Sequence, residues 1–177
     1  MMNSTETGKR YAPLILTLGL DEKSQDFFDH LRERYFPPKR NFLQAHLTLF
    51  HHLPGRERRT IENALAATAV QRVPLSMKAT SVKMMGRGVA YQLDSKQLKD
   101  IHEKFSLEWK NWLTPQDQQK LWPHVTVQNK VDTAKAKALY NKLSDSFEPF
   151  EVKGTGFRLW AYQNGPWEWL ADFDFAT

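Results

Sequence analysis

Cysteine is absent from all 177 residues. That excludes disulfides, a thiol nucleophile, and any zinc or iron–sulfur site held by cysteine. Long apolar runs are missing as well. The best window, Leu14 to Leu20, is strand-length, far short of the ~18 apolar residues of a membrane span. The polar start, Met1 to Arg10, lacks the apolar stretch of a signal peptide, so a cytoplasmic protein with no membrane partner is expected. What remains is the composition of a folded chain: 41% hydrophobic, 12% aromatic and 25% charged residues, too apolar for general disorder. Lys and Arg number 25 against 20 Asp and Glu, for a net +5. This mild excess favours anionic partners such as phosphates.

Hydrophobic spacing and breakers divide the chain into alternating elements. Leu14–Leu20 reads as a buried strand, and Asp21 as the N-cap of a helix over Glu22 to Tyr35 that ends at Pro37-Pro38. A strand follows over His46 to Leu53, then a helix from Arg56 to Val70 and a third strand from Pro74 to Met85. After the turn Gly86-Arg87-Gly88 the plan repeats. The strand Val89–Leu93 leads into a helix over Ser95–Trp112, the strand Pro123–Val131, a helix over Thr133–Phe147 and the strand Phe150–Tyr162. Asn164-Gly165-Pro166 turns the chain into a last strand, Trp167 to Phe175.

The two halves are thus duplicated β-α-β-α-β units. From Leu14 to His46 is 32 residues, and from Val89 to His124 is 35. Both central strands open alike, His46-Leu47-Thr48-Leu49 and His124-Val125-Thr126-Val127. Order and motif carry the duplication, since the flanking residues share little identity. The expected fold is bilobal α/β (α+β), with two antiparallel-rich sheets facing a central cleft. One domain spans 1–177, its first lobe over about 13–86 and its second over about 88–175, with strand exchange between them allowed.

Side chains alternate along a strand, so His46 and Thr48 share a face, with Phe50 and His52 further along. His124, Thr126, Gln128 and Lys130 share another. A titratable base and a hydroxyl therefore stand on the open face of each motif strand, and pseudo-two-fold symmetry brings the pairs to one cleft. That set suits phosphoester cleavage. One neutral imidazole accepts a proton while the other, protonated, donates one. Threonine hydroxyls hydrogen-bond the non-bridging phosphate oxygens. His46 and His52 are six residues apart, roughly 20 Å along a strand, too far to share a metal ion, and neither metal nor cofactor is expected.

The duplicated His-x-Thr-x motif on paired strands resembles the two-histidine (2H) phosphoesterase superfamily, and within it the bacterial 2′-5′ RNA ligase / RNA 2′,3′-cyclic phosphodiesterase branch. The resemblance runs in element order from about Leu14 to Phe175. It implies His46 and His124 as the catalytic pair and Thr48 and Thr126 as phosphate-binding hydroxyls. It also implies a cleft free of metal and hydrolysis of 2′,3′-cyclic phosphates or 2′-5′ linkages in RNA or nucleotides. The second motif of that branch often continues with an arginine five residues after the histidine, where this chain has Asn129, followed by Lys130.

Further substrate-binding candidates follow from strand alternation. They are His52 at the cleft rim, Lys130 at the end of the second motif strand, Arg158 on the long strand, and Tyr162 or Trp160, which share a face, as a stacking surface for a base. His51 falls with the core-side residues or in a loop. The expected partners are RNA ends or small cyclic nucleotide phosphates, bound by a monomer. The competing readings are a non-catalytic RNA or nucleotide-binding module on the same fold and a partner-binding scaffold with exposed aromatics as its interface. Neither explains a twin acid and base.

Overall fold

The computed structural model describes residues 11–177; the polar start Met1 to Arg10 lies outside the described residues. The strands are β1 (Leu14–Leu20), β2 (Leu47–Leu53), β3 (Leu75–Met84), β4 (Val89–Asp94), β5 (His124–Gln128), β6 (Phe150–Tyr162) and β7 (Trp167–Asp174). The helices are α1 (Glu22–Tyr35), α2 (Arg58–Ala69), α3 (Lys96–Glu108) and α4 (Thr133–Asp145). Local chemistry sets the helix starts. Asp21, Ser95 and Asp132 each accept a hydrogen bond from the backbone N–H three residues on, Ser24, Leu98 and Lys135. These caps satisfy amides that the first helical turn leaves without partners.

All pairings are antiparallel, in the order β2-β1-β6-β3-β4-β5, with β7 also on β6. The long β6 joins the two halves. Its residues 150–154 pair with β3, 154–161 with β1 and 156–162 with β7. The two arrays expected from the duplication share this strand, so hydrogen bonding runs through one seven-stranded sheet.

The helices cover the sheet across the duplication. From the first half, α1 lies against β5, with Phe28 edge-on to Tyr91 of β4 and Phe27 edge-on to Phe150. From the second half, α3 sends Phe105 against Phe157 of β6, and Trp109, just past its end, against Phe50 of β2. α2 lies on β6 and β7, and α4 on β3 and β4. Each half therefore buries apolar surface against helices of the other, and one hydrophobic core runs through both.

Candidate active site

The two motif strands stand at opposite ends of the strand order, yet β2 and β5 approach each other in space. Arg32 of α1 ties β5 to the segment ahead of β2. It is almost fully buried and donates through Nη1 to the carbonyl of Thr126 (3.1 Å) and through Nε to Asn41 Oδ1 (3.1 Å). Burial lowers its pKa to about 10, so at neutral pH it is a fixed positive charge behind the site.

The duplication extends to an irregularity in each motif strand. Along β2, Leu18 faces Leu47 and Thr17 faces Thr48, but Leu16 faces Phe50. Along β5, Tyr91 faces Val125 and Ala90 faces Thr126, but Val89 faces Gln128. One extra residue, Leu49 or Val127, is thus inserted directly after each motif threonine, a β-bulge of the kind that re-aims side chains near active sites. Alternation stops there: Leu49 and Phe50 are both buried, as are Val127 and Gln128. A further shift before Leu53 sends His51 and His52 both outward.

These bulges revise several sequence expectations. Phe50 does not continue the face of His46 and Thr48; it lies in the core, stacked on His102 with ring centroids 4.6 Å apart. His52 leaves the cleft for a separate groove lined by Tyr11, Pro13, Pro54, Gly55 and Arg56. His51, expected on the core side or in a loop, instead lines a cavity with Thr48 and His124. Lys130 stands exposed on the turn after β5 at φ 62° and lines neither cavity of the cleft. Of the two stacking candidates, Trp160 lines the cleft, while Tyr162 sits at the hairpin end opposite Trp167. Arg158 does reach the cleft, packed so closely over Gly19 that a Cβ there would meet its guanidinium. It is held by Asp172 (3.3 Å) and Asp174 (2.9 Å).

His46 and His124 are set identically. His46 Nδ1 lies 2.8 Å from the carbonyl oxygen of Gln44, and His124 Nδ1 lies 2.7 Å from that of Trp122. A carbonyl can only accept, so each Nδ1 carries the hydrogen, and each Nε2 is left to exchange a proton with a ligand. A tryptophan braces each ring. Trp122 stacks on His124 at 4.1 Å and donates to Gln92 Oε1 (3.0 Å), while Trp167 tilts against His46 at 4.7 Å.

Both imidazoles resist protonation. His46 is half-buried by surface but walled in on most sides; burial chiefly, helped by the charges of Arg32, His124 and His51, lowers its pKa to about 4. His124 is also held below its ordinary value, first by burial and then by the charge of His51, against the opposing pull of its Trp122 hydrogen bond. Thr48 and Thr126 are half-buried on the same strands, and among the described residues Thr126 Oγ1 donates only to the Met85 sulfur (3.6 Å).

The cleft has two unlike flanks. Beside His46 lies a cavity of about 430 Å³ walled by Phe42, Trp160, Trp167 and Trp169, with Arg158 and Thr17 among its polar lining. Beside His124 lies one of about 320 Å³ lined by Thr48, His51, His102, Asp117, Lys120 and Trp122, among others. Sequence reasoning missed His51, because the bulge has no residue signature, and Asp117, which sits in an unremarked loop. Among the described residues no three His, Cys, Asp or Glu side chains gather as a metal site would require.

The open antiparallel sheet thus presents two histidines with matching hydrogen-bond settings. The chain belongs to the 2'-5' RNA ligase superfamily, whose sequence profile matches residues 20–166. The same fold occurs in TT0787 of Thermus thermophilus (14% identity, TM-score 0.63, covering 92% of this chain and 97% of that one). It also occurs in E. coli LigT complexed with NADP+ (16% identity, TM-score 0.58, covering 94% and 99%) and in LigT complexed with 3'-AMP (16%, 0.55, 94% and 99%). No curated protein shows significant sequence similarity.

Proposed function

We propose that this chain is a metal-independent phosphodiesterase that opens 2′,3′-cyclic phosphates, or cleaves 2′-5′ linkages, at RNA ends or in small nucleotides. The observation that carries the reading is the matched pair of histidines, each with Nδ1 held by a carbonyl two residues back and Nε2 left to react. One Nε2 takes a proton from water as the water oxygen attacks phosphorus. The bond from phosphorus to a ribose oxygen breaks, and that oxygen takes the proton of the other imidazolium. The hydroxyls of Thr48 and Thr126 donate to the non-bridging oxygens, whose charge grows in the transition state. After one turnover the histidines have exchanged protonation states and re-equilibrate with solvent.

The aromatic walls beside His46 suit a base, and LigT of the same fold has been crystallised with NADP+ and with 3'-AMP. One chain supplies both histidines, so a monomer suffices for this chemistry; the lack of cysteine fits work in the cytoplasm. The test is incubation with 2′,3′-cyclic mononucleotides, cyclic-phosphate-ended RNA and 2′-5′ dinucleotides in the presence of EDTA. Turnover on at least one of these with chelator present is expected. Binding without turnover on every one would favour a non-catalytic nucleotide-binding module and overturn the enzyme reading.

A further inference from the structure

The third histidine of the cleft has no part in that mechanism. His51 is brought there by the second irregularity of β2 and is fixed by Asp117, a carboxylate buried in the loop between α3 and β5. Both Asp117 oxygens are engaged. They accept from the backbone N–H of His51 (2.9 and 3.0 Å) and of His52 (2.8 Å), and Oδ1 lies 3.0 Å from His51 Nδ1. Burial alone would raise the Asp117 pKa, but these hydrogen bonds hold it below the ordinary carboxylate value. Anchoring the loop needs only the two amides. The ring contact does something further: it assigns the Nδ1 hydrogen and leaves Nε2 for the cavity.

The two flanks differ in which hydrogen-bond donors are left open. In the cavity beside His46, Arg158 is already paired with Asp172 and Asp174. In the cavity beside His124, the carboxylate of Asp117 is consumed by its three donors, while Lys120 and the His51 ring remain to meet a ligand. The duplicated frame offers no equivalent in the second motif, since five residues after His124 stands Asn129.

We propose that His51, oriented by Asp117, forms with Lys120 a second anion site on the His124 side of the cleft, selecting nucleotide substrates that carry a further phosphate besides the scissile one. The proposal rests on the phosphodiesterase reading above and specifies its substrate class. His51 and Lys120 are specificity residues here, not part of the proton relay.

The test is calorimetric binding of unreactive product analogues: adenosine 2′- and 3′-monophosphate against the same compounds with an added 5′-phosphate. A charge-assisted hydrogen bond predicts a preference for the bisphosphates of about tenfold or more in the parent protein. His51→Gln should erase that preference while leaving monophosphate affinity within about twofold, and Lys120→Gln should reduce it. An anchoring role alone would change both ligands equally. Equal affinity of the parent protein for mono- and bisphosphates, or a preference unchanged in His51→Gln, would overturn the proposal and leave the phosphodiesterase reading standing. Failure of every nucleotide to bind would remove both.

Discussion

Placed two residues before its histidine, the carbonyl of Gln44 or Trp122 fixes which imidazole nitrogen carries the hydrogen. Burial then fixes how readily the other gains one. The proposed mechanism needs one histidine neutral and its partner protonated, so kcat/KM should be bell-shaped whichever holds which role. The His46 pKa of about 4 and a His124 pKa below 6.5 place the maximum on the acid side of 6.5, which a pH–rate profile checks directly. Stability follows the same groups with a definite sign. A histidine with a folded pKa below its unfolded value binds fewer protons when folded, so its contribution is present above about pH 6.5 and is lost as pH falls toward 4. Melting temperatures should drop over that window, and His46→Gln should flatten the drop. Trp122 is a second target at this scale: replacing it with Leu removes the stack on His124. The expected result is a loss in kcat of about tenfold or more, since a loosened ring costs orientation. Because Trp122 is partly exposed, its thermal midpoint should change little.

Among the elements, the helices and most strands were legible in the sequence. Asp21 and Pro37 bracket α1, apolar spacing marks α3, whose cap Ser95 the structure adds, as it adds Asp132 for α4, and the unbroken run Phe150–Tyr162 is a single strand. The twin His-x-Thr tetrapeptides led to both motif strands. Their continuation did not follow, because a bulge depends on how a strand meets its neighbour rather than on its own residues. Leu49 and Val127 look like ordinary alternating positions, and only the registers with β1 and β4 show the insertion. For this reason simple alternation puts His52 and Lys130 on the cleft face, whereas the registers bring His51 there instead. Long-range contacts such as Arg32 to the Thr126 carbonyl, 94 residues away, were equally invisible. Arg32→Met keeps the apolar stem but strips that carbonyl and Asn41 of their donor. We expect a loss of roughly 1–3 kcal/mol in denaturant unfolding, with reduced turnover as β5 loses its tie to α1.

Across the whole molecule, the shared strand β6 and the crossed helices make the halves interdependent. Without β6, β1 loses the partner along its second edge, and without α3 the apolar face of Phe50 is uncovered. A fragment of residues 11–87 should therefore lack cooperative thermal unfolding by circular dichroism, whereas the full chain should melt in one transition. The same interdependence positions chemistry. Strands from opposite ends of the sheet order meet because both halves close around one core, bringing an aromatic flank and a polar flank to either side of two histidines. The most direct measurement is the single-turnover rate on a 2′,3′-cyclic nucleotide, with EDTA present, for the parent protein beside His46→Ala and His124→Ala. Each substitution alone should slow the chemical step by about 10²–10⁴-fold without lowering the thermal midpoint at neutral pH. Rates unchanged in both variants would contradict the two-histidine mechanism.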